Sequence, residues 1–78
     1  MAFMNCKKLK KITLYANVAK VGKKAFFKCS SLKKVTIKSK VLTQVGAKAF
    51  KKTHKKIVFY VPDKDHKEAY KKLLKGKY

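Results

Sequence analysis

The sequence predicts an α/β repeat fold: a short solenoid of parallel strands and short helical segments, closed by a C-terminal helix. Three observations predict it. An apolar pattern returns at a spacing of 23 to 24 residues, each copy ends in strict apolar/polar alternation, and residues 62–78 switch to helical spacing. A period in this range marks supersecondary units that bury their apolar faces by stacking on one another.

The first unit reads Ala2, Phe3, Cys6, Leu9, Ile12 and Leu14. It returns as Ala25, Phe26, Cys29, Leu32, Val35 and Ile37, and begins again as Ala49 and Phe50, followed by Phe59 and Val61. The ends Ile12-x-Leu14 and Val35-x-Ile37 have the period of two expected of a short strand with one buried face, so one strand is expected per unit. Upstream, Ala25, Cys29 and Leu32 stand at i, i+4 and i+7, which places them on one side of a short helical or 3₁₀ segment. Gly22 and Gly46 precede successive Ala-Phe pairs at equivalent points, where a backbone with φ > 0 or a tight turn is expected.

These residues resemble the BspA-type leucine-rich repeat family. Val21-Gly22-Lys23-Lys24-Ala25-Phe26, then Cys29, then Leu32-Lys33-Lys34-Val35-Thr36-Ile37, is similar to one full unit of that family, and Val45-Gly46-Ala47-Lys48-Ala49-Phe50 starts the next. The resemblance covers roughly residues 2–62, in about two and a half units over residues 1–61. It weakens in the last, where Thr53 and Lys56 replace the Cys and Leu. It implies stacked units with a parallel sheet, a surface-exposed or secreted protein, and a closing Lys-rich helix.

After Pro62, Tyr70, Leu73 and Leu74 fall at i, i+3 and i+4, the spacing of an amphipathic helix in a capping segment, residues 62–78. Asp65 and Glu68 fit a capping box, Lys71, Lys72 and Lys75 suit the helix end, and Gly76 suits the position just past it. The helix is expected to cover Ile57, Phe59 and Val61. The chain starts at Met1 inside a repeat, without a secretory leader, so the first unit is expected to expose a strand edge with Phe3, Leu9, Ile12 and Leu14. A truncated or C-terminal piece of a longer array is the expectation, with self-association through that N-terminal edge as one remedy for a core this small.

Charge is the second large fact, with 23 basic residues against 3 acidic and a formal net charge of +20. Every basic residue is Lys. Specific nucleic-acid readers lean on the planar fork of Arg, so specific readout is not indicated, whereas Lys still neutralises phosphates without regard to sequence. The Lys pairs are either a solvated outer surface or a polyanion-binding one.

Alternation turns Lys11, Thr13 and Tyr15, then Lys34, Thr36 and Lys38, then Val58 and Tyr60, toward the exposed sheet face. This is the candidate ligand site, because leucine-rich repeat proteins usually bind there; Thr and Tyr also suit an exposed strand face for structural reasons alone. The expected partner is a protein or a glycan. The leading expectation is a non-catalytic recognition or adhesion module. The alternatives are a non-specific binder of nucleic acid, teichoic acid or acidic glycans, and an array cap that binds nothing.

Catalytic chemistry is not indicated. The carboxylates Asp63, Asp65 and Glu68 are explained as helix-start residues, and neither a phosphate loop nor a nucleophile elbow is present. Cys6 and Cys29 share one repeat position, at a distance that permits a disulfide but with parallel side chains that make its geometry poor, so two buried thiols are expected. They and His54 and His66 lack metal-ligand spacing, and no cofactor is implied. The longest apolar run, Ile57 to Val61, is too short to span a membrane.

Overall fold

The computed structural model describes residues 3–78; Met1 and Ala2, where the repeat opens, lie outside the described residues. Strands β1 (Lys11–Leu14), β3 (Lys34–Ile37) and β5 (Val58–Tyr60) form a parallel three-stranded sheet in the order β1-β3-β5. The register pairs Lys11 with Lys34, Ile12 with Val35, Thr13 with Thr36 and Leu14 with Ile37, and continues from Lys34 to Val58 and from Thr36 to Tyr60. The repeat spacing of the sequence is therefore the register of the sheet.

Each full unit holds a second strand that the alternation did not predict. β2 (Lys20–Val21) pairs in parallel with β4 (Gln44–Val45). Two residues are too few to show a period, although Val21 and Val45 are both buried in the core.

The short helical or 3₁₀ segment expected through Ala25, Cys29 and Leu32 is instead a run of turns. The amides of Ala25, Phe27 and Cys29 bond to the carbonyls three residues back, whereas those of Lys24, Phe26 and Lys28 reach out to Ala47, Ala49 and Lys51 of the next unit. Alternate donors thus leave the local chain, which no helix allows. Asn5, Lys24, Lys28, Lys48 and Lys52 carry φ of 62°, 56°, 61°, 59° and 58°, left-handed values that also interrupt a right-handed turn.

Gly22 and Gly46 do not carry the positive φ, yet both open tight turns by accepting from the amides of Ala25 and Ala49. Gly46 has a further constraint. A Cβ there would lie 2.6 Å from the Gly22 carbonyl carbon and from Lys23 Cα, so the neighbouring backbone occupies the space of a side chain. At Gly22 a Cβ would meet nothing within 4 Å.

The core runs between the sheet and the turns through Val21, Ala25, Phe26, Cys29, Leu32, Val35, Ile37, Leu42, Val45, Ala49 and Phe50, joined by Leu14. Leu14 is buried, contrary to the expectation for the first unit, while Leu9 and Ile12 are half-buried and Phe3 is exposed. The rings of Phe3, Phe26 and Phe50 stack at 5.4 and 5.2 Å with planes 5° apart, and Phe59 then meets Phe50 edge-on at 5.0 Å.

Helix α1 (Lys67–Leu74) buries Tyr70 and Leu74 and packs against β4. Its start is not a capping box. The N-cap is His66, without a side-chain cap, and it is Asp63 that organises the approach, accepting from the Asp65 amide at 3.0 Å and facing His66 Nδ1 at 2.8 Å. Gly76 follows the C-cap Lys75 with φ 80°, as expected. Because α1 lies toward β4, it leaves Ile57, Phe59 and Val61 half-buried, and a groove of about 310 Å³ runs between β5 and the helix.

The C-terminal tail completes the closure. Phe3 donates its amide to Ala25 and Phe26 donates to Ala49, and Phe50 donates to Lys77 at 2.8 Å. Tyr78 then lays its ring against Phe59 at 4.8 Å. The tail stands where a further unit would stand.

Candidate functional site

One face of the β1-β3-β5 sheet packs on the core, and Lys11, Thr13, Lys34, Thr36, Val58 and Tyr60 alternate along the strands with the residues of that face. Lys11, Lys34 and Val58 form one row across the strands and Thr13, Thr36 and Tyr60 the next. Tyr15 and Lys38 each directly follow a strand. Tyr15, Val58 and Tyr60 are 66%, 57% and 54% exposed, large values for side chains of this size, while Thr13 and Thr36 are half-buried between their neighbours. The sheet therefore sets Lys11, Lys34 and Val58 beside Thr13, Thr36 and Tyr60 in two rows, with Tyr15 and Lys38 just past the strand ends.

Sequence reasoning missed the groove at the N-terminal ends of the strands. An open depression of about 620 Å³ is lined by Lys10, Lys11, Ser31, Lys33, Lys34, His54 and Val58. Backbone bonds fix it: the amides of Lys33 and Lys34 both reach the Lys10 carbonyl, and the Val58 amide donates to Lys33 at 2.7 Å. The doubled Lys before each strand, Lys10-Lys11 and Lys33-Lys34, was the available signal. His54 enters through the turn it organises, where its Nδ1 accepts from the Lys56 amide at 3.0 Å.

Charge is unevenly spread over this face. No carboxylate lines the groove at the Lys10 and Lys34 end, whereas Asp63 and Asp65 lie beside Lys38 and Lys40 at the other end. The Asp65 amide and the His66 ring hold the Asp63 carboxyl below its ordinary value, with a further contribution from Lys40.

The cysteines are free, Cys29 buried and Cys6 only half-buried. Cys29 donates its thiol to the Phe3 carbonyl at 2.8 Å, and burial pushes its pKa up despite a backbone hydrogen bond at Cys6. A protonated thiol that serves as a donor in the core is a packing group rather than a nucleophile. Among the described residues, no three His, Cys, Asp or Glu side chains gather as metal ligands would, and no helix is long and apolar enough to cross a membrane.

The sequence profile described as "BspA type Leucine rich repeat region (6 copies)" matches residues 1–73. Neither a curated protein nor a solved structure matches. The match spans the repeats and nearly all of the closing helix, and agrees with the parallel register and the recurring Ala-Phe turns. The chain belongs to the BspA-type leucine-rich repeat family.

Proposed function

We propose that this chain is a non-catalytic recognition or adhesion module, the end section of a surface-associated repeat solenoid, with its partner on the exposed face of the β1-β3-β5 sheet. The observation that carries the reading is the exposure of Val58 and Tyr60 on β5 and of Tyr15 just past β1, in a sheet whose other side is the core. Large rigid rings held by a sheet supply contact area at little entropic cost, and Thr13 and Thr36 add hydrogen-bonding hydroxyls beside them. Family membership supports the same reading, since leucine-rich repeats generally serve as non-enzymatic binding modules and the BspA type is typically surface-associated.

The test is capture from an array of cell-surface proteins and glycans by the immobilised chain, compared with the variant Y15A/T36A/Y60A. Loss of every captured ligand in a variant that still melts cooperatively is the expected result. Retention of all of them sinks the sheet-face reading.

A second reading, an array cap that binds nothing itself, is favoured by the Phe50 amide donating to Lys77 at the closing end. Capture of no ligand by the wild-type chain would select it.

A further inference from the structure

The groove beside the sheet face narrows the chemistry of the ligand. We propose that it binds the anionic groups of an acidic polysaccharide, a uronate- or sulfate-bearing chain whose sugar rings run across β1, β3 and β5 over Thr13, Thr36 and Tyr60. The inference rests on the sheet-face reading above and specifies its partner.

Four lysines, Lys10, Lys11, Lys33 and Lys34, line one open depression with His54 and Val58 and without a carboxylate, mainly through their methylene stems. Their spacing is built into the fold, because Lys11 and Lys34 are direct partners in the ladder and both Lys33 and Lys34 bond to Lys10 through the backbone. Neighbouring strands lie about 4.8 Å apart, so these like charges repel one another and gain most from a polyanion that spans adjacent strands.

Lys is a hydrated point charge without the planar fork that clamps a carboxylate or phosphate bidentately, so the lysines supply attraction to anions and the choice of a sugar chain comes from the row beside them. The next row supplies what neutral rings need: hydroxyls at Thr13 and Thr36 and an exposed aromatic face at Tyr60. An acidic peptide fits less well. Its strongest mode on a sheet is strand addition, which would seat it beside the edge strand β1 or β5 and not across all three strands.

Calorimetric titration near 0.15 M salt, where non-specific charge contacts are largely screened, tests the proposal with heparin, polygalacturonate, neutral dextran, polyglutamate and duplex DNA. The groove variant K10Q/K11Q/K33Q/K34Q is compared with K48Q/K52Q/K72Q/K75Q, which removes the same charge elsewhere. Binding of an acidic polysaccharide, absent for dextran and at least about tenfold weaker for polyglutamate and DNA, is expected, with a loss of about tenfold in the groove variant and little in the other. Equal losses in the two variants, or tighter binding of polyglutamate or DNA, overturn the proposal. If Y15A/T36A/Y60A abolishes ligand capture while the groove variant leaves it intact, the polysaccharide inference falls and the sheet-face reading stands. If neither variant matters, both fall.

Discussion

The hydroxyl of Tyr70 donates to the carbonyl of Ser39 at 2.8 Å and accepts from the Leu42 amide at 3.2 Å, which fastens α1 to the bend between β3 and β4. Ser39 is itself buried, its hydroxyl donating to the Val18 carbonyl at 2.6 Å and accepting from the Val41 amide at 3.1 Å. One chain of hydrogen bonds thus runs from the closing helix through the second unit into the first.

Removing the Tyr70 hydroxyl strands a buried donor and a buried acceptor. Y70F is expected to cost about 1–3 kcal/mol, read as a lower midpoint in urea with an unchanged slope. An unchanged midpoint would mean that α1 does not contribute to the cooperative unit.

Gly22 and Gly46 occupy the same repeat position in unlike surroundings. G46A forces a methyl group into the Gly22–Lys23 backbone and is expected to destabilise by at least about 2 kcal/mol. G22A meets open space at a φ that is not left-handed and is expected to be neutral or stabilising by up to about 1 kcal/mol. Thermal melts that rank the pair the other way would contradict the stacking geometry.

Lys48 and Lys52 hold left-handed backbone that glycine adopts without strain. K48G and K52G are each expected to raise stability by about 0.5–1 kcal/mol, although glycine usually lowers it. The control is K55G, a position without positive φ, where the ordinary loss is expected.

Asp63 has a depressed folded-state pKa, so its charge stabilises the native state above the ordinary carboxylate value of 3.8 and loses that effect as pH falls through the lower folded value. The melting temperature of D63N is therefore expected to lie below that of the wild type at pH 5 and above, with the gap closing in acid below about pH 3.8. A gap that persists to pH 2 would assign the effect to packing instead of charge.

Lys11 and Lys34 face each other across β1 and β3 in a chain of net charge +20. Raising salt from about 0.01 to 0.15 M shortens the Debye length from about 30 to 8 Å and is expected to raise the melting temperature. K34T removes one member of the row and is expected to flatten that dependence.

Periodic residues were the ones the sequence made legible. Ile12, Val35 and Phe59 recur at 23 and 24 residues, and that spacing alone states the register and the exposed row of Lys11, Lys34 and Val58. The segment through Ala25, Cys29 and Leu32 reads as helical because turns closed three residues back put apolar side chains on one side much as a helix does. What separates the two is the left-handed φ at Lys24 and Lys28, and lysine carries no sign of it in sequence. The capping box expected at Asp65 and Glu68 does not form; Asp63 is the acceptor instead, and the two aspartates are not told apart until the chain direction after Pro62 is known. The spacing already sets Lys11 beside Lys34; that Lys10, Ser31, Lys33 and His54 join them around one depression depends on the turns before each strand, which the spacing does not describe.

The Phe50 amide gives the closing contact a generic address. Lys77 answers with a main-chain carbonyl, the same group Ala25 and Ala49 offer, so the tail recognises a backbone pattern and not a particular side chain. Any copy of the repeat that ends in this turn presents the same acceptor-seeking amide. Duplicating residues 24–47 would therefore lengthen the molecule by one rung and leave its terminal fastening unchanged. In such an architecture reach and ending vary independently, and the binding face can be widened by gene duplication without a new solution for its end.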